Sequence, residues 1–329
     1  MTSDAENASK ILITGGAGFI GSHLADRFLA DGKQVVVIDD LSTGREENVR
    51  HLLGKPGFRF VVGSVLDETL IGPLVDECDM IFHLAAAVGV FLVVHSPVRT
   101  IEATAFGTGA VLKTAWLQKK KVLLASSSEV YGKRSEVPFR EDDDLVLGPP
   151  AKGRWSYACS KLLDEFLALA YHRERGLRVV IARFFNIVGP RQVGRYGMVL
   201  PRLVRQALEG GPITVYGDGT QTRSFAHVLD AVDCIVRLAH EPRAEGRVVN
   251  VGSDREISIR ELAEAVRNII NPSVHIQHIP YDEAYAEGFE DLPRRVPDIS
   301  LAGELVGYKP TRALEDIIRE LATSRKEVS

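Results

Sequence analysis

Two short stretches carry residue types that could do chemistry together. Tyr157 and Lys161 stand four apart in a segment whose pattern is helical as far as Tyr171. That spacing puts phenol and ammonium on one helix face. A phenol ordinarily releases its proton only near pH ~10, and a neighbouring cation favours the phenolate, making it a base for a hydroxyl proton. The second stretch, SSSEVYG over residues 126–132, follows the apolar run VLLA. Ser126, Ser127, Ser128 and Glu129 therefore sit at the end of a buried strand, where a simple turn would use Gly or Asn. Taken alone, Tyr-x-x-x-Lys also fits a solvated helix face; it gains meaning from its company.

That company is a nucleotide-binding turn. In TGGAGFIG, Gly15, Gly18 and Gly21 follow an apolar run, ILIT, and open a helical pattern, with Phe19 and Ile20 between the last two glycines. Glycines there permit the tight turn and let backbone approach a pyrophosphate, while the helix N-terminus offers free N–H groups. Asp39, Asp40 and Leu41 close the second apolar run. A carboxylate there accepts hydrogen bonds from an adenosine ribose and repels a 2′-phosphate, which favours NAD over NADP. The positive charge of an oxidised nicotinamide would then help Lys161 stabilise a Tyr157 phenolate.

The elements that must position these groups read as strands at residues 11–14, 35–38, 58–62, 80–84, 121–125 and 179–183, most of them separated by helical patterns. Strands apolar throughout, alternating with helices, predict a doubly wound parallel α/β sheet covered on both faces. Beyond about residue 186 Gly and Pro become frequent. The expected organisation is a Rossmann domain over residues 1–185, with a return segment near 224–251, and a smaller discontinuous α/β substrate domain over 186–329. The chain has 329 residues, 45% of them hydrophobic, so a sizeable core is available. Net charge is −4 with no basic stripe, which argues against nucleic acid. Cys78, Cys159 and Cys234 lie far apart, as suits a reducing cytoplasm. The polar start MTSDAENASK has no apolar core for a signal peptide, and the apolar run over residues 80–94 is too short to span a membrane. No ligand scaffold for a metal is recognisable; EDDD at 141–144 reads as a solvated loop and Cys159 as a packing residue.

The Gly-x-x-Gly-x-x-Gly spacing, the Tyr157/Lys161 pair and the hydroxyl cluster resemble the extended branch of the short-chain dehydrogenase/reductase superfamily, the NAD-dependent nucleotide-sugar epimerases and dehydratases. The resemblance runs over nearly the whole chain. It implies a triad of Ser127, Tyr157 and Lys161, with Lys161 also on the nicotinamide ribose. HLAA, carrying Leu84, Ala85 and Ala86, resembles the strand-four segment that lines the cofactor. GSVLD, carrying Ser64 and Val65, resembles the segment on the adenine. Ser64 stands where the family usually has Asp, which leaves the adenine amino group to Asp67, to backbone or to water. The family's cofactor-side Asn is also missing; Ala103 and Thr104 occupy that stretch. On the substrate side the resemblance places Asn186 and Arg191 beside the diphosphate, Val199 and Tyr216 around a pyrimidine base, and Arg223 and Arg295 on the diphosphate. Guanidinium forks match phosphate oxygens.

All such enzymes begin by oxidising C4 of the sugar, and the residues after the triad serine resemble different sequels. Dehydratases carry Asp then Glu; UDP-glucuronate decarboxylases carry Ser then Glu. This chain has Ser128 and Glu129, and so resembles the decarboxylases, as do GPPAKGRWSY before Tyr157 and YAEGFEDLPRRVPD around Arg295. Arg223 is then also placed near the sugar acid, and Arg154, three residues before Tyr157, is a further candidate for its carboxylate. The resemblance implies decarboxylation of UDP-glucuronate through a 4-keto intermediate to UDP-xylose or UDP-4-keto-xylose. A UDP-sugar 4-epimerase, a 4,6-dehydratase and a non-catalytic nucleotide-binding member are the alternatives. It further implies a homodimer formed through a four-helix bundle from the Tyr157 helix and the helix near residues 98–118.

Overall fold

The computed structural model describes residues 9–86, 96–192, 198–284 and 292–326. Most of the polar N-terminus, the latter part of the 80–94 apolar run and all of YAEGFED lie outside the described residues. Seven parallel strands form the main sheet: β1 (Lys10–Thr14), β2 (Gln34–Asp39), β3 (Phe58–Val62), β4 (Met80–His83), β5 (Lys121–Ser127), β6 (Val179–Phe184) and, far along the chain, β11 (Arg247–Val251). Their order is β3-β2-β1-β4-β5-β6-β11. Direction therefore reverses between β1 and β4, and a crevice opens beyond the carboxyl ends of those two strands, where such sheets bind ligands.

Successive side chains of a strand face opposite sides. Ile11, Ile13, Val35 and Val37 enter one apolar layer, and Leu12, Val36 and Ile38 the other. Both faces being covered is the reason these strands are apolar throughout. On the first face lie α1 (Phe19–Ala30), α7 (Val228–His240) and α9 (Ser300–Val306), through Leu24, Phe28, Val232, Leu238 and Leu305. On the second lie α2 (Glu68–Asp76), α4 (Gly107–Leu117) and α5 (Trp155–Arg175), through Ile71, Val75, Leu112 and Ala168. A short α3 (Pro97–Ile101) runs into α4 through a π-helical segment, Glu102–Phe106.

A separate apolar cluster joins α6 (Val199–Leu208), α8 (Ile259–Ile270) and α10 (Leu314–Lys326) through Leu203, Val204, Leu262, Val266, Ile317 and Ile318. Helix α8 starts with a reciprocal capping box between Ser258 and Glu261. Three two-stranded pairs accompany this cluster: β7 (Ile187–Val188) with β10 (Ala226–His227), β8 (Ile213–Tyr216) with β13 (Ile276–Ile279), and β9 (Thr222–Ser224) with β12 (Glu256–Ser258).

Helix α5 is the element that carries the Tyr/Lys pair. Its buried stripe is Tyr157, Ala158, Ser160, Lys161, Asp164, Glu165 and Ala168, a helical repeat that contains four polar or charged groups besides the tyrosine. It ends at Gly176, whose left-handed φ of 67° lets the last turn close onto His172 and Tyr171 carbonyls.

Candidate active site

The glycine turn and the end of β4 meet in the crevice. Gly15 has φ 69°, and a Cβ there would stand 2.8 Å from the Ala85 backbone nitrogen. Only glycine brings the two loops this close. Helix α1 begins at Gly18 with no side-chain cap and no acidic residue in its first turn. Its first N–H groups and positive dipole end fit the pyrophosphate of a dinucleotide. Asp39 accepts N–H bonds from Ala17 at 3.0 Å and Leu41 at 2.9 Å. Burial raises the Asp39 carboxyl above its usual range, and those loop N–H groups pull it back. The acid expected on a ribose therefore also ties the glycine turn to β2. Asp40 is exposed and accepts the Ser42 N–H.

Ser64 accepts the Leu66 N–H, and Asp67 caps α2 by accepting from the Thr69 amide at 2.9 Å and its hydroxyl at 2.6 Å. Asp67, open as an adenine partner on sequence grounds, is thus a helix cap. Thr104, in the π-helical segment, is fully buried, and its Oγ1 has no partner among the described residues.

At the reacting end, β5 delivers Ser127 and a 3₁₀ turn, Ser128–Tyr131, delivers Glu129. The Ser127 hydroxyl stands beside the Tyr157 phenol. Burial, then the Glu129 charge, raise the phenol above its ordinary value, and the Ser127 hydroxyl lowers it. Lys161 lies one turn further along α5 and is buried. Its Nζ donates to the Ala125 carbonyl at 2.9 Å and lies 3.3 Å from Asp164, a carboxylate sequence reasoning missed.

Glu129 is held by two cations: Arg295 at 2.6 Å and Arg154 at 3.3 Å. Burial opposes its ionisation, but the two guanidiniums dominate and hold its carboxyl at about 2. Arg154 lies 4.9 Å over the Trp155 ring. Gly148 leaves no room for a Cβ against that indole, so GPPAKGRW is a shaped approach that sets the arginine in place. Arg154 and Arg295, 141 residues apart in sequence, thus converge on one carboxylate.

Other expected site residues are placed elsewhere or held by backbone. Arg191 pairs with Asp26 of α1 at 2.7 Å, on the dinucleotide side. Arg223 donates to the carbonyls of Thr222 and Leu292, bracing the chain just before Arg295. Asn186 adopts φ 39° and donates to the Ser224 carbonyl, joining the two ends of the β7/β10 region. Tyr216 faces the Arg202 guanidinium at 4.0 Å, and Val199 opens α6 at the edge of the second cluster. Ser126 is no mere turn residue: its hydroxyl bonds Glu165 at 2.5 Å, and Glu165 in turn receives a two-pronged bond from Arg183. Glu141 accepts the Asn250 amide N–H, so the acidic loop is anchored at its first residue. Cys159 is exposed rather than packed. Among the described residues no group of three or more His, Cys, Asp or Glu is placed to hold a metal ion, and no helix is long and apolar enough to cross a membrane.

A doubly wound sheet with a dinucleotide turn, and a tyrosine beside a serine and one helical turn from a buried lysine, define a dinucleotide-dependent enzyme of the dehydrogenase/reductase type. More specifically, the chain belongs to the NAD dependent epimerase/dehydratase family, whose profile matches residues 11–252. It is 41% identical over 320 residues to the UDP-N-acetyl-alpha-D-glucosaminuronate decarboxylase of Bacillus cytotoxicus, covering 97% of this chain and 98% of that one. It is 38% identical over 307 residues to UDP-glucuronic acid decarboxylase 1 of Arabidopsis thaliana, covering 93% and 67%. Among solved structures, UDP-glucuronic acid 4-epimerase from Bacillus cereus, in complex with UDP-glucuronic acid and NAD, superimposes with a TM-score of 0.86 at 30% identity, over 97% of this chain and 100% of that one. The cofactor is NAD, and the uncapped α1 terminus and the glycine turn fit it.

Proposed function

We propose that this protein is an NAD-dependent decarboxylase of UDP-glucuronate, forming UDP-xylose or UDP-4-keto-xylose. One observation carries the reading: a carboxylate, Glu129, sits on two guanidiniums, Arg154 and Arg295, and its charge reaches the Tyr157 phenol. Two cations converging beside a base suit a sugar that brings its own carboxylate and diphosphate.

NAD, held by the glycine turn and the α1 terminus, would supply the hydride acceptor for oxidation at C4 and the donor for the later reduction. Tyr157 removes the C4 hydroxyl proton, and Ser127 hydrogen-bonds the same oxygen. The oxidised sugar is a β-keto acid. Its C5–C6 bond breaks, the electron pair moves toward the C4 carbonyl, and CO2 leaves. Ser127 and Tyr157 then stabilise the enolate oxygen. A proton returns to C5, supplied through a water or donor oriented by Glu129 and Ser128. Arg154 and Arg295 exchange Glu129 for the anionic groups of the substrate. Asn186, Val199 and Tyr216 line the nucleotide end in this reading, while Arg223 braces the segment that presents Arg295 and Arg191 stays with Asp26 on the dinucleotide side.

The test is incubation with UDP-glucuronate and NAD while CO2 and the sugar product are followed. CO2 with a pentose product supports decarboxylation; UDP-galacturonate without CO2 would make the protein a 4-epimerase. The Bacillus cytotoxicus relative, matched at 41% identity over nearly the whole chain, favours a second substrate, the 2-acetamido hexuronate. Running both sugars side by side ranks them by kcat/KM.

The reading includes a homodimer. Val98 and Phe106 before α4, and Leu163 and Phe166 on α5, are large apolar side chains more than half exposed. Monomers rarely leave such a patch open, and a bundle of these helices from two copies would cover it. It also includes the two-part organisation, residues 1–185 with a return segment near 224–251, and 186–329, supported by the separate cluster around α6, α8 and α10. Three free cysteines suit a cytoplasmic enzyme.

A further inference from the structure

Behind Lys161 runs a line of buried polar side chains. Thr14 Oγ1 is 2.7 Å from His83 Nδ1 and His83 Nε2 is 3.1 Å from Thr108 Oγ1; next to Thr108 stands Asp164, whose Oδ2 is 3.3 Å from Lys161 Nζ and whose Oδ1 has no hydrogen-bond partner among the described residues. Every member is at most 2% exposed. Burial drives the imidazole down to about 3, so His83 is neutral. The Ala85 N–H meets Thr14 Oγ1 at 3.3 Å, which leaves that hydroxyl's proton free for the imidazole. With Thr14 donating to His83 Nδ1, the ring's own proton sits on Nε2, facing Thr108 Oγ1.

We infer that Asp164 is a positioning residue for the reaction: it holds Lys161 and offsets its charge, and thereby sets the pH at which Tyr157 becomes a base. The inference rests on the proposed role of Tyr157. Lys161 has two partners in hand, the Ala125 carbonyl and Asp164, and the negative charge of Asp164 acts on Tyr157 against the phenolate. Other charged groups around this spot are already matched or face outward. On α5 and β6, Glu165 is bound by Arg183. On the 3₁₀ turn, Glu129 is bound by Arg154 and Arg295. On β5, Lys121 pairs with Glu245. Arg99, Glu102 and Lys113, on the helices packed against α5, are exposed. Asp164 is therefore the charge whose removal changes the balance at Lys161 most directly.

The experiment is Asp164→Asn in the holoenzyme, with Asp164→Ser as a second neutral variant should the first fold poorly. Two pH series are read: kcat/KM with UDP-glucuronate, and phenolate absorbance as a difference against Tyr157→Phe. The acid limb of kcat/KM and the Tyr157 titration should both move to lower pH, by about half a unit or more, as expected for loss of one nearby like charge. A thermal melt alone would not show this. A Tyr157 titration that stays in place or moves upward overturns the assignment of Asp164 and leaves the proposed function standing. A rate profile with no accompanying Tyr157 titration overturns both.

Discussion

Replacing Glu129 by Gln tests the anion site most sharply, because the structure gives both a size and a pH signature. Gln keeps the shape and one acceptor oxygen but leaves Arg154 and Arg295 without a countercharge. A carboxyl held at about 2 instead of its ordinary 4.5 corresponds to about 3 kcal/mol of stabilisation. The Glu129 side chain is 22% exposed, and partial solvent screening brings the expected loss to about 2 kcal/mol. The folded-state value is depressed, so this stabilisation is fully present above about pH 4.5 and fades as pH falls toward about 2. Urea unfolding at pH ~7 should thus show wild type ahead by about 2 kcal/mol, with the gap closing through the acid range. In the same variant CO2 release should fall about a hundredfold, while the burst of NADH from C4 oxidation persists. Decarboxylation at the wild-type rate, or a stability gap that is absent at neutral pH, would refute the reasoning.

Three further outcomes are expected. Tyr157→Phe should lower C4 oxidation about a thousandfold while NAD affinity, measured by fluorescence titration, stays unchanged; a modest loss would move the base elsewhere. Gly15→Ala combines a left-handed φ with a clash against the Ala85 backbone, and should weaken NAD binding about tenfold or more; calorimetric titration checks it, and unchanged affinity would mean the two loops can separate freely. Leu163→Asp together with Phe166→Asp places charge on the exposed apolar face of α5 and should leave a monomer by sedimentation; a persisting dimer would place the interface on another surface.

How much of this was legible in the sequence depends on separation along the chain. The parallel sheet could be read because its strands are locally apolar on both faces, as Ile11, Leu12 and Ile13 illustrate by entering alternate layers. The Tyr157/Lys161 face follows from helical geometry alone. Glu129 was singled out from its neighbours, but its binding to Arg295 joins residues 166 positions apart, and no local rule connects them. Asp164 was invisible for another reason. An acid three residues after a lysine on a helix reads as a surface ion pair, and only the packing of α4 and β5 against α5 turns it into a buried one. Leu163 and Phe166 were not singled out either, because an apolar helical pattern does not say which of its residues the fold leaves outside.

The last strand of the main sheet has a consequence for biosynthesis. Strand β11 pairs with β6 from Val180 to Phe184, yet it enters the chain only at Arg247. While the ribosome makes the roughly 60 intervening residues, β6 is an apolar edge with unsatisfied N–H and C=O groups, a template for pairing with another nascent chain. Of the helices that cover one face of that region, α7 arrives shortly before β11 and α9 well after it. A fragment ending near residue 185 therefore carries the whole glycine turn and the Tyr157 helix but an open flank, and the dinucleotide half is expected to complete its folding only after the segment beyond residue 251 has left the tunnel.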